Sequence, residues 1–407
     1  MNSTLADGNN PKPELQRLTL GMLPLNDAAP LIVALEKGFF ADEGLDVSLS
    51  VEASWAGLRD GMQLGMLDGA QMLALMPLAS TLGLDGRAIP LISAMTLNLG
   101  GNAITVSQAV HAHMIALDPD AMRSPVAQAK ALAQVIETRR ETGESKLRFA
   151  NVYAFSSHRY LLRYWLAAGG IDPENDLELR VVPPTLMASQ LESGRLDGYC
   201  VGEPWNRLAA SRGQGRMLCG SFDIWGGSQE KVFGVREAWA QQYPNTHRAL
   251  LRALLRACRW LDEPGNREQA ARLLCLGGYL DVSPAVVESG LRDPQQASSS
   301  REEGGLAGAT LFHRHAANFP WHSQTLWYAR QMQRWGHLDK NIDLQGVVER
   351  CVRPDLYRQA AADLGISVPL VDSKAEGAHD AAWRLAGDRG DIVMMADRFL
   401  DGRHYGP

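Results

Sequence analysis

The spacing of histidines and carboxylates indicates whether a sequence could perform acid–base catalysis or bind a metal ion. Residues 313–315 read His-Arg-His and His322 follows, but there is no HExxH pattern and no paired Cys/His spacing of a zinc site. Asp68, Asp197 and Glu203 are scattered along the chain, which favours turn or hinge roles over paired acid–base catalysis. The sequence also lacks a GxSxG elbow, a P-loop and a GxGxxG loop. We therefore predict that the protein is not an enzyme and needs neither a metal ion nor a cofactor.

Composition argues against direct binding to nucleic acid or membrane. A net charge of -6 over 407 residues gives no broad basic surface for DNA or RNA. No run of the sequence approaches the ~18 apolar residues that a membrane span requires.

Two features bear on the compartment. The five cysteines are odd in number and follow no zinc or CxxC spacing, which suits a reducing compartment. The first residues lack the basic start, the roughly 7–15 apolar residues and the small-residue cleavage site of a secretory signal. We therefore expect a cytoplasmic protein.

Strand and helix patterns alternate along the first half of the chain. Short apolar or alternating runs predict strands at residues 18–23, 46–51, 69–73, 90–95, 147–150, 177–182 and 196–201. Apolar residues at helical spacing predict helices at residues 31–40, 55–67, 125–138, 156–168 and 187–193, and a mostly helical chain from residue 238 onward. This alternation predicts parallel sheets joined by right-handed crossovers.

Two such blocks followed by a helical tail predict an α/β protein with two lobes. We expect residues 16–106 and 222–365 to form lobe I and residues 107–221 to form lobe II. Residues 1–15 are polar, with Gly, Asn and Pro, and predict a disordered arm. Residues 366–407 are expected to form a C-terminal extension that packs on lobe I.

A family resemblance is carried by several stretches of sequence. Residues 35–47, LEKGFFADEGLDV, resemble the helix-turn-strand opening of type II solute-binding proteins of ABC transporters. More specific are residues 53–60 (ASWAGLRD), 158–173 (HRYLLRYWLAAGGIDP), 197–205 (DGYCVGEPW), 319–323 (FPWHS) and 334–338 (RWGHL). Together they resemble the nitrate and bicarbonate receptors of the NrtA/CmpA type. The resemblance implies a two-lobed periplasmic-binding-protein-like clamshell with a helical C-terminal region.

Within that family, the chain most resembles cytoplasmic nitrate sensors of the NasS type. That resemblance implies a switch in which the sensor holds a NasT-type RNA-binding antiterminator and releases it when nitrate or nitrite binds. Nitrate assimilation genes would be regulated in this way. Two alternatives stay open. One is the solute-binding component of an ABC transporter for nitrate, bicarbonate or another small anion, and the other is an enzyme that reuses the clamshell fold.

The resemblance also implies a ligand site. Nitrate has three acceptor oxygens, so its site needs several donors and some positive charge. Trp55 matches the family's ligand tryptophan, and its indole N–H is a donor only. His158 matches the ligand histidine at the start of a helix, where the helix N-terminus favours an anion but disfavours a protonated imidazole. The alternatives are a core tryptophan and a surface or capping histidine.

The chain departs from the family's pattern at two site positions. The ligand glutamine falls at Gly100 and the ligand lysine falls at Gly226. We expect backbone N–H groups of residues 100–102 (Gly100, Gly101 and Asn102) to replace the glutamine as hydrogen-bond donors, because glycine permits close approach. Lys231 is a candidate to replace the family's ligand lysine. The alternative is that Lys231 is simply solvated. Gln71 is a weaker candidate donor. The bicarbonate receptors bind calcium through an acidic residue near the lysine position, and Gly226 supplies none, so we expect no metal.

Overall fold

The protein, described by a computed structural model over residues 11–294 and 307–406, is built around two mixed β-sheets. The six-stranded sheet contains β1 (Arg17–Met22), β2 (Asp46–Val51), β3 (Gly69–Leu73), β4 (Leu91–Gly100), β10 (Gln229–Arg236) and β11 (Thr310–Leu311). The five-stranded sheet contains β5 (Asn102–Ser107), β6 (Arg148–Asn151), β7 (Glu178–Val181), β8 (Gly198–Gly202) and β9 (Gly215–Gly220). A hairpin of β12 (Trp383–Leu385) and β13 (Ile392–Met394) lies in the C-terminal extension.

Helices cover both sheets and make up most of the later chain. Those of the first half are α1 (Ala29–Glu36), α2 (Phe39–Asp42), α3 (Trp55–Gln63), α4 (Met76–Leu82), α5 (Gln108–Leu117), α6 (Pro125–Glu141), α7 (Ser157–Ala168), α8 (Met187–Glu192) and α9 (Trp205–Ser211). Those that follow are α10 (Ser221–Ile224), α11 (Glu237–Gln242), α12 (Pro244–Leu261), α13 (Asn266–Leu276), α14 (Pro284–Ser289), α15 (His322–Arg334), α16 (Leu344–Cys351) and α17 (Pro354–Asp363). Within the described residues, no helix is both long and apolar enough to span a membrane.

The predicted α/β clamshell fold is confirmed, but the prediction of purely parallel sheets is wrong. The strand orders are β11-β4-β10-β3-β1-β2 and β7-β6-β8-β5-β9. β1 is parallel to β2 and β3, and β6 is parallel to β7 and β8. In contrast, β10 is antiparallel to β3 and β4, while β5 is antiparallel to β8 and β9. These reversed strands are the ones that carry the chain between the two sheets.

The chain crosses between the sheets at Gly101 and again at residues 221–228. β4 ends at Gly100 in the first sheet and β5 begins at Asn102 in the second. Residues 102–106, which the sequence predicts to belong to lobe I, therefore lie in lobe II. The left-handed backbone at Gly100 (φ 72°) and Gly101 (φ 92°) makes this abrupt passage possible, because glycine adopts positive φ without a Cβ clash.

The two lobes are in contact along a shared buried cluster. Leu25 and Trp55 of lobe I pack in the same apolar cluster as Val152 and Trp205 of lobe II. Trp205 Nε1 also donates to the backbone oxygen of Pro24 at 3.2 Å. The two lobes therefore touch along their boundary, which lies at the carboxyl ends of β1, β3 and β6.

The terminal segments differ in part from their predictions. The described end of the predicted arm is anchored, since Glu14 accepts hydrogen bonds from the backbone of Asn245 (3.0 Å) and Thr246 (2.7 Å). Residues 1–10 of that arm lie outside the described residues. The C-terminal extension contacts the lobe I core through Met394, and Asp401 also accepts from Tyr164 Oη of lobe II at 2.8 Å. The extension therefore joins both lobes rather than lobe I alone.

Candidate functional site

Trp55 lies at the first position of α3, and its environment is that of a buried donor without a partner. Ser54 caps the helix, accepting from Gly57 N at 3.1 Å, which fixes the direction in which α3 begins. The Trp55 side chain is 1% exposed, and its indole Nε1 has no hydrogen-bond partner. The ring centroid lies 5.5 Å from Lys231 Nζ. Trp55 therefore packs as a core residue while keeping an N–H group unused.

His158 lies in the first turn of α7, in lobe II. Ser156 performs the capping, accepting from Arg159 N at 3.1 Å, so His158 itself is not the cap. The imidazole is fully buried rather than on the surface. Its Nδ1 lies 3.4 Å from Glu230 Oε1 and 3.5 Å from Ser157 Oγ, while Nε2 has no partner.

Lys231 lies on β10 and is fully buried, which excludes the solvated alternative. Its Nζ is 2.7 Å from Asp27 Oδ2 and 2.7 Å from Glu230 Oε1. Burial alone would lower the pKa of Lys231, but the negative charges of Asp27 and Glu230 outweigh it and raise the pKa. The ammonium is therefore charged, and it is shared between two carboxylates.

Two amides complete what we call the interlobe network: Asp27, Gln71, Asn102, His158, Glu230 and Lys231. Gln71 Nε2 donates to Asp27 Oδ1, and Gln71 Oε1 accepts from Leu23 N at 2.9 Å. Asn102 Nδ2 donates to Glu230 Oε2. Gln71 thus holds the network to lobe I, whereas Asn102 and His158 connect it to lobe II. Both side-chain polar atoms of Gln71 have protein partners.

Burial dominates the electrostatics of the network. It lowers the pKa of His158 well below its ordinary value, with the Lys231 charge as a second cause, so the ring is neutral at neutral pH. Burial also raises the pKa of Asp27, and Glu230 adds to this, although Lys231 and Gln71 oppose it.

The two glycines proposed as anion donors do not have free N–H groups. Gly100 N donates to Ser228 O at 3.0 Å and Gly101 N donates to Ala309 O at 2.7 Å. The geometry contradicts this part of the prediction, because a turn between two sheets must satisfy its own buried backbone groups. Asn102 likewise engages the network through its side chain, while its backbone pairs with Gly202 in the sheet.

Gly226 lies under the C-terminal extension. A Cβ at this position would stand 2.7 Å from Ala396 O and 3.0 Å from Asp397 Cα, and Gly226 N donates to Arg398 O at 2.9 Å. A side chain at position 226 would therefore collide with the extension.

Sequence reasoning missed Asp27, Glu230 and Asn151. Asp27 follows the carboxyl end of β1, and Asn151 is the last residue of β6. Both places are where side chains of an open α/β sheet meet a ligand, and this topological rule is the signal that could have found them. Neither side-chain polar atom of Asn151 has a hydrogen-bond partner, although the residue is fully buried. Glu230 could have been found only from its position beside Lys231.

A second buried ion cluster lies in the C-terminal extension, and we call it the C-terminal cluster: Lys374, Glu376 and Asp397. Lys374 Nζ is 2.5 Å from Glu376 Oε2 and 3.2 Å from Asp397 Oδ2. Ser323 Oγ donates to Glu376 Oε1 at 2.7 Å, and His379 N donates to Asp397 Oδ1 at 2.9 Å. All three charged groups thus have their partners within the protein.

The histidines near residue 313 each bind a different neighbour. His313 Nδ1 lies 2.8 Å from Asn318 Oδ1, His315 Nδ1 lies 2.8 Å from Val393 O, and His322 Nε2 lies 3.0 Å from Val352 O. Across residues 11–294 and 307–406, no group of three or more His, Cys, Asp or Glu is arranged to hold a metal ion.

Comparison with known proteins places this geometry in a family. The NMT1-like family model matches residues 11–275. The nitrate/nitrite binding protein NrtA of Nostoc sp. strain PCC 7120 is 30% identical over 410 residues, covering 100% of this chain and 86% of that protein. The nitrate import ATP-binding protein NrtC of Synechocystis sp. strain PCC 6803 is 39% identical over 350 residues. That match covers 86% of this chain but 50% of NrtC, so the chain spans about half the length of that relative.

Solved structures agree with the sequence comparison. The crystal structure of the periplasmic nitrate-binding protein NrtA from Synechocystis PCC 6803 matches with a TM-score of 0.82 at 28% identity, covering 98% of this chain and 97% of that one. The alkanesulfonate-binding protein SsuA from Xanthomonas axonopodis pv. citri shares the fold, with a TM-score of 0.57 at 16% identity over 84% of this chain and 99% of that one. The chain therefore belongs to the NMT1-like family, among the NrtA-like solute-binding proteins.

Proposed function

We propose that this protein binds nitrate or nitrite between its two lobes. The observation that carries the proposal is a pair of buried ring nitrogens, Trp55 Nε1 and His158 Nε2, that lack partners beside one interlobe network. Buried polar groups are normally hydrogen-bonded. Other buried rings, such as those of Trp225 and His247, also lack a partner, but only Trp55 and His158 among these four approach one charged network from both lobes, Trp55 at Lys231 and His158 at Glu230. The relative NrtA of Nostoc is a nitrate/nitrite binding protein, which supports the choice of anion.

Calorimetric titration with nitrate and with nitrite tests this proposal. Saturable binding is expected for the unaltered protein, and weaker binding for Trp55→Ala and for His158→Ala. Unchanged affinity in both variants would remove the proposed site, and no binding of either anion would remove the proposed ligand.

Bicarbonate is a second candidate ligand, favoured by buried acceptors near the same boundary. Asn102 Oδ1 and Asn151 Oδ1 are buried without partners. Nitrate can only accept hydrogen bonds, whereas bicarbonate also donates one through its O–H group. Titration with bicarbonate at a fixed pH, in competition with nitrate, separates the two candidates. Tighter binding of bicarbonate would favour the second.

We further propose that ligand binding acts as a cytoplasmic signal rather than as a step of uptake. The resemblance to NasS-type sensors supports this, and so do the thiols of Cys200, Cys219, Cys258 and Cys351, which are free and buried. In this proposal the ligand-free protein holds a NasT-type antiterminator, and closure on nitrate or nitrite releases it. The alternative is a receptor that delivers the anion to an ABC transporter.

Co-purification tests the sensor proposal. The protein is expressed with a NasT-type antiterminator and captured with and without nitrate. Association without nitrate and release with nitrate are expected. An association that nitrate does not change would contradict the switch, and association with a transporter's membrane subunits instead would favour the receptor.

A further inference from the structure

The interlobe network has no positive charge left over for an anion. Asp27, Glu230 and Lys231 are all buried, and the single ammonium lies 2.7 Å from an oxygen of each carboxylate. His158 adds no charge, because burial keeps its pKa low. A buried anion beside such a network is costly unless further positive charge accompanies it.

The contact between His158 and Glu230 determines where a neutral imidazole carries its proton. Glu230 Oε1 lies 3.4 Å from Nδ1, and an ionised carboxylate can only accept a hydrogen bond. The Ser157 hydroxyl, 3.5 Å from the same nitrogen, can accept as well as donate, whereas the carboxylate can only accept. We therefore infer that a neutral ring holds its proton on Nδ1, which leaves a lone pair on the unpartnered Nε2. Nitrate and nitrite carry only acceptor oxygens, so neither can bond to that lone pair.

We propose that the protein takes up one proton from solvent with each anion it binds, and that His158 is the residue that receives it. The inference rests on the proposed function, since it concerns the same ligand and the same site. In the doubly protonated ring, Nδ1–H faces Glu230 and Nε2–H bonds to the anion. Glu230 is a positioning residue, because it acts on the ligand through His158.

The other ionisable groups around His158 are less suited to receive this proton. On β10, Glu230 and Lys231 are engaged with each other. Cys200 on β8 and Tyr328 on α15 are also near these charges, and burial raises the pKa of both, so each is already neutral and protonated. Asp27 is the one competitor. Burial raises its pKa too, but its carboxylate contacts Lys231 and Gln71, whereas Glu230 is the carboxylate that contacts the imidazole.

Calorimetry in matched buffers counts the protons. Nitrate is titrated into the whole protein at pH 7.5 in phosphate and in Tris, which release very different heats when they lose a proton. The difference in heat between buffers is expected to correspond to uptake of one proton per nitrate. The association constant is expected to fall as pH rises, by about tenfold per pH unit over the range in which the ring is neutral in the free protein and protonated in the complex.

Variants identify the receiving group. His158→Gln keeps a neutral side-chain donor, so it should bind nitrate more weakly, with no proton uptake and a flat pH profile. Asp27→Asn should keep the uptake of one proton. His247→Gln is a matched control, because His247 is also buried with an unpartnered Nε2, and burial and Arg353 lower its pKa to about 4. It should leave both affinity and proton uptake unchanged.

The outcomes separate this inference from the proposed function. Nitrate binding by the unaltered protein without proton uptake would overturn the inference and leave the proposed function standing. Uptake that persists in His158→Gln but disappears in Asp27→Asn would also overturn it. Absence of nitrate binding at every pH would overturn the proposed function and the inference together. The measurement on the unaltered protein decides the proton count even if a variant fails to fold.

Discussion

Two buried lysines of this protein are each shared between two carboxylates, and they differ in what lies around them. In the C-terminal cluster, a serine hydroxyl and a backbone N–H complete the carboxylates of Glu376 and Asp397. In the interlobe network, the neighbouring rings of Trp55 and His158 each keep a nitrogen without a partner. The Trp225 indole near the C-terminal cluster also has an unpartnered Nε1, but the interlobe network is approached by such rings from both lobes. We therefore expect the same charge arrangement to anchor a segment in one place and to bind the ligand in the other.

Location accounts for this difference. The C-terminal cluster joins the extension to Ser323 on α15, and Lys374 also lies 5.8 Å from the Trp321 ring. The interlobe network instead crosses a boundary between two lobes, from Lys231 on one side to His158 and Asn102 on the other. Ligands bind in such crevices in α/β proteins, at the carboxyl ends of strands.

The largest expected effect is on stability, at the C-terminal cluster. Lys374→Met leaves two buried carboxylates without their cation, which costs about 3–5 kcal/mol. Urea denaturation should show this loss, while nitrate affinity of the folded fraction stays unchanged. A loss of nitrate binding in this variant would mean that the two clusters are not functionally distinct.

Replacing the lysine of the interlobe network should affect both stability and nitrate affinity. Lys231→Met is expected to destabilise by a similar amount, about 3–5 kcal/mol, for the same reason. It should also weaken nitrate binding, because it increases the negative charge next to the site. Binding that survives in this variant with unchanged affinity would place the ligand elsewhere.

Glu203 is a buried carboxyl that is not paired with a lysine, and we expect it to give an effect of intermediate size on stability that depends on pH. Burial, opposed by Arg207, raises the pKa of Glu203 to about 7. The folded state holds this proton more tightly than the unfolded state, so stability decreases as pH rises from about 4.5 to 7 and is constant above. Glu203→Gln should remove this loss, and its stability relative to the unaltered protein should rise by roughly 3 kcal/mol between pH 4.5 and 8. A constant difference measured across that range would contradict the shift.

The smallest effect concerns the link between the C-terminal extension and lobe II. Tyr164→Phe removes the hydrogen bond from Tyr164 Oη to Asp401 and the contact between Tyr164 Oη and Tyr405 Oη at 3.1 Å, and each hydrogen bond contributes roughly 0.5–1.5 kcal/mol. Limited proteolysis should then cut the last residues of the extension faster, with no change in nitrate affinity. Equal cleavage rates in both proteins would show that this contact does not hold the extension.

Much of the fold could be predicted from local patterns. The strands Asp46–Val51 and Gly69–Leu73 begin and end where predicted, because alternating or continuous apolar runs report burial directly. The antiparallel strand Gln229–Arg236 was not predicted. Its charged residues Glu230 and Lys231 hide a buried strand, since they are paired with each other and with distant groups such as Asp27.

The sequence predicts which residues belong to the candidate site, but it does not predict which hydrogen-bond partners those residues have. Trp55, His158, Lys231, Gln71 and Asn102 all lie in or beside the interlobe network, but only the rings of Trp55 and His158 keep a free nitrogen. The backbone groups of residues 100 and 101 are already used in the passage between sheets. Which donors remain available depends on long-range pairing, and sequence spacing does not report it.

One pair of variants tests the central claim most directly: that the interlobe network, and not the C-terminal region, is the anion site. Trp55→Phe and Trp225→Phe each remove a buried indole N–H that has no protein partner, and Trp225 stacks on Phe399 of the extension at 5.0 Å. Nitrate titration of both should give a dissociation constant roughly 10- to 100-fold higher for Trp55→Phe, as loss of a hydrogen bond to a charged group requires. Trp225→Phe should bind like the unaltered protein. Equal affinities for the two variants, or a loss confined to Trp225→Phe, would contradict the claim.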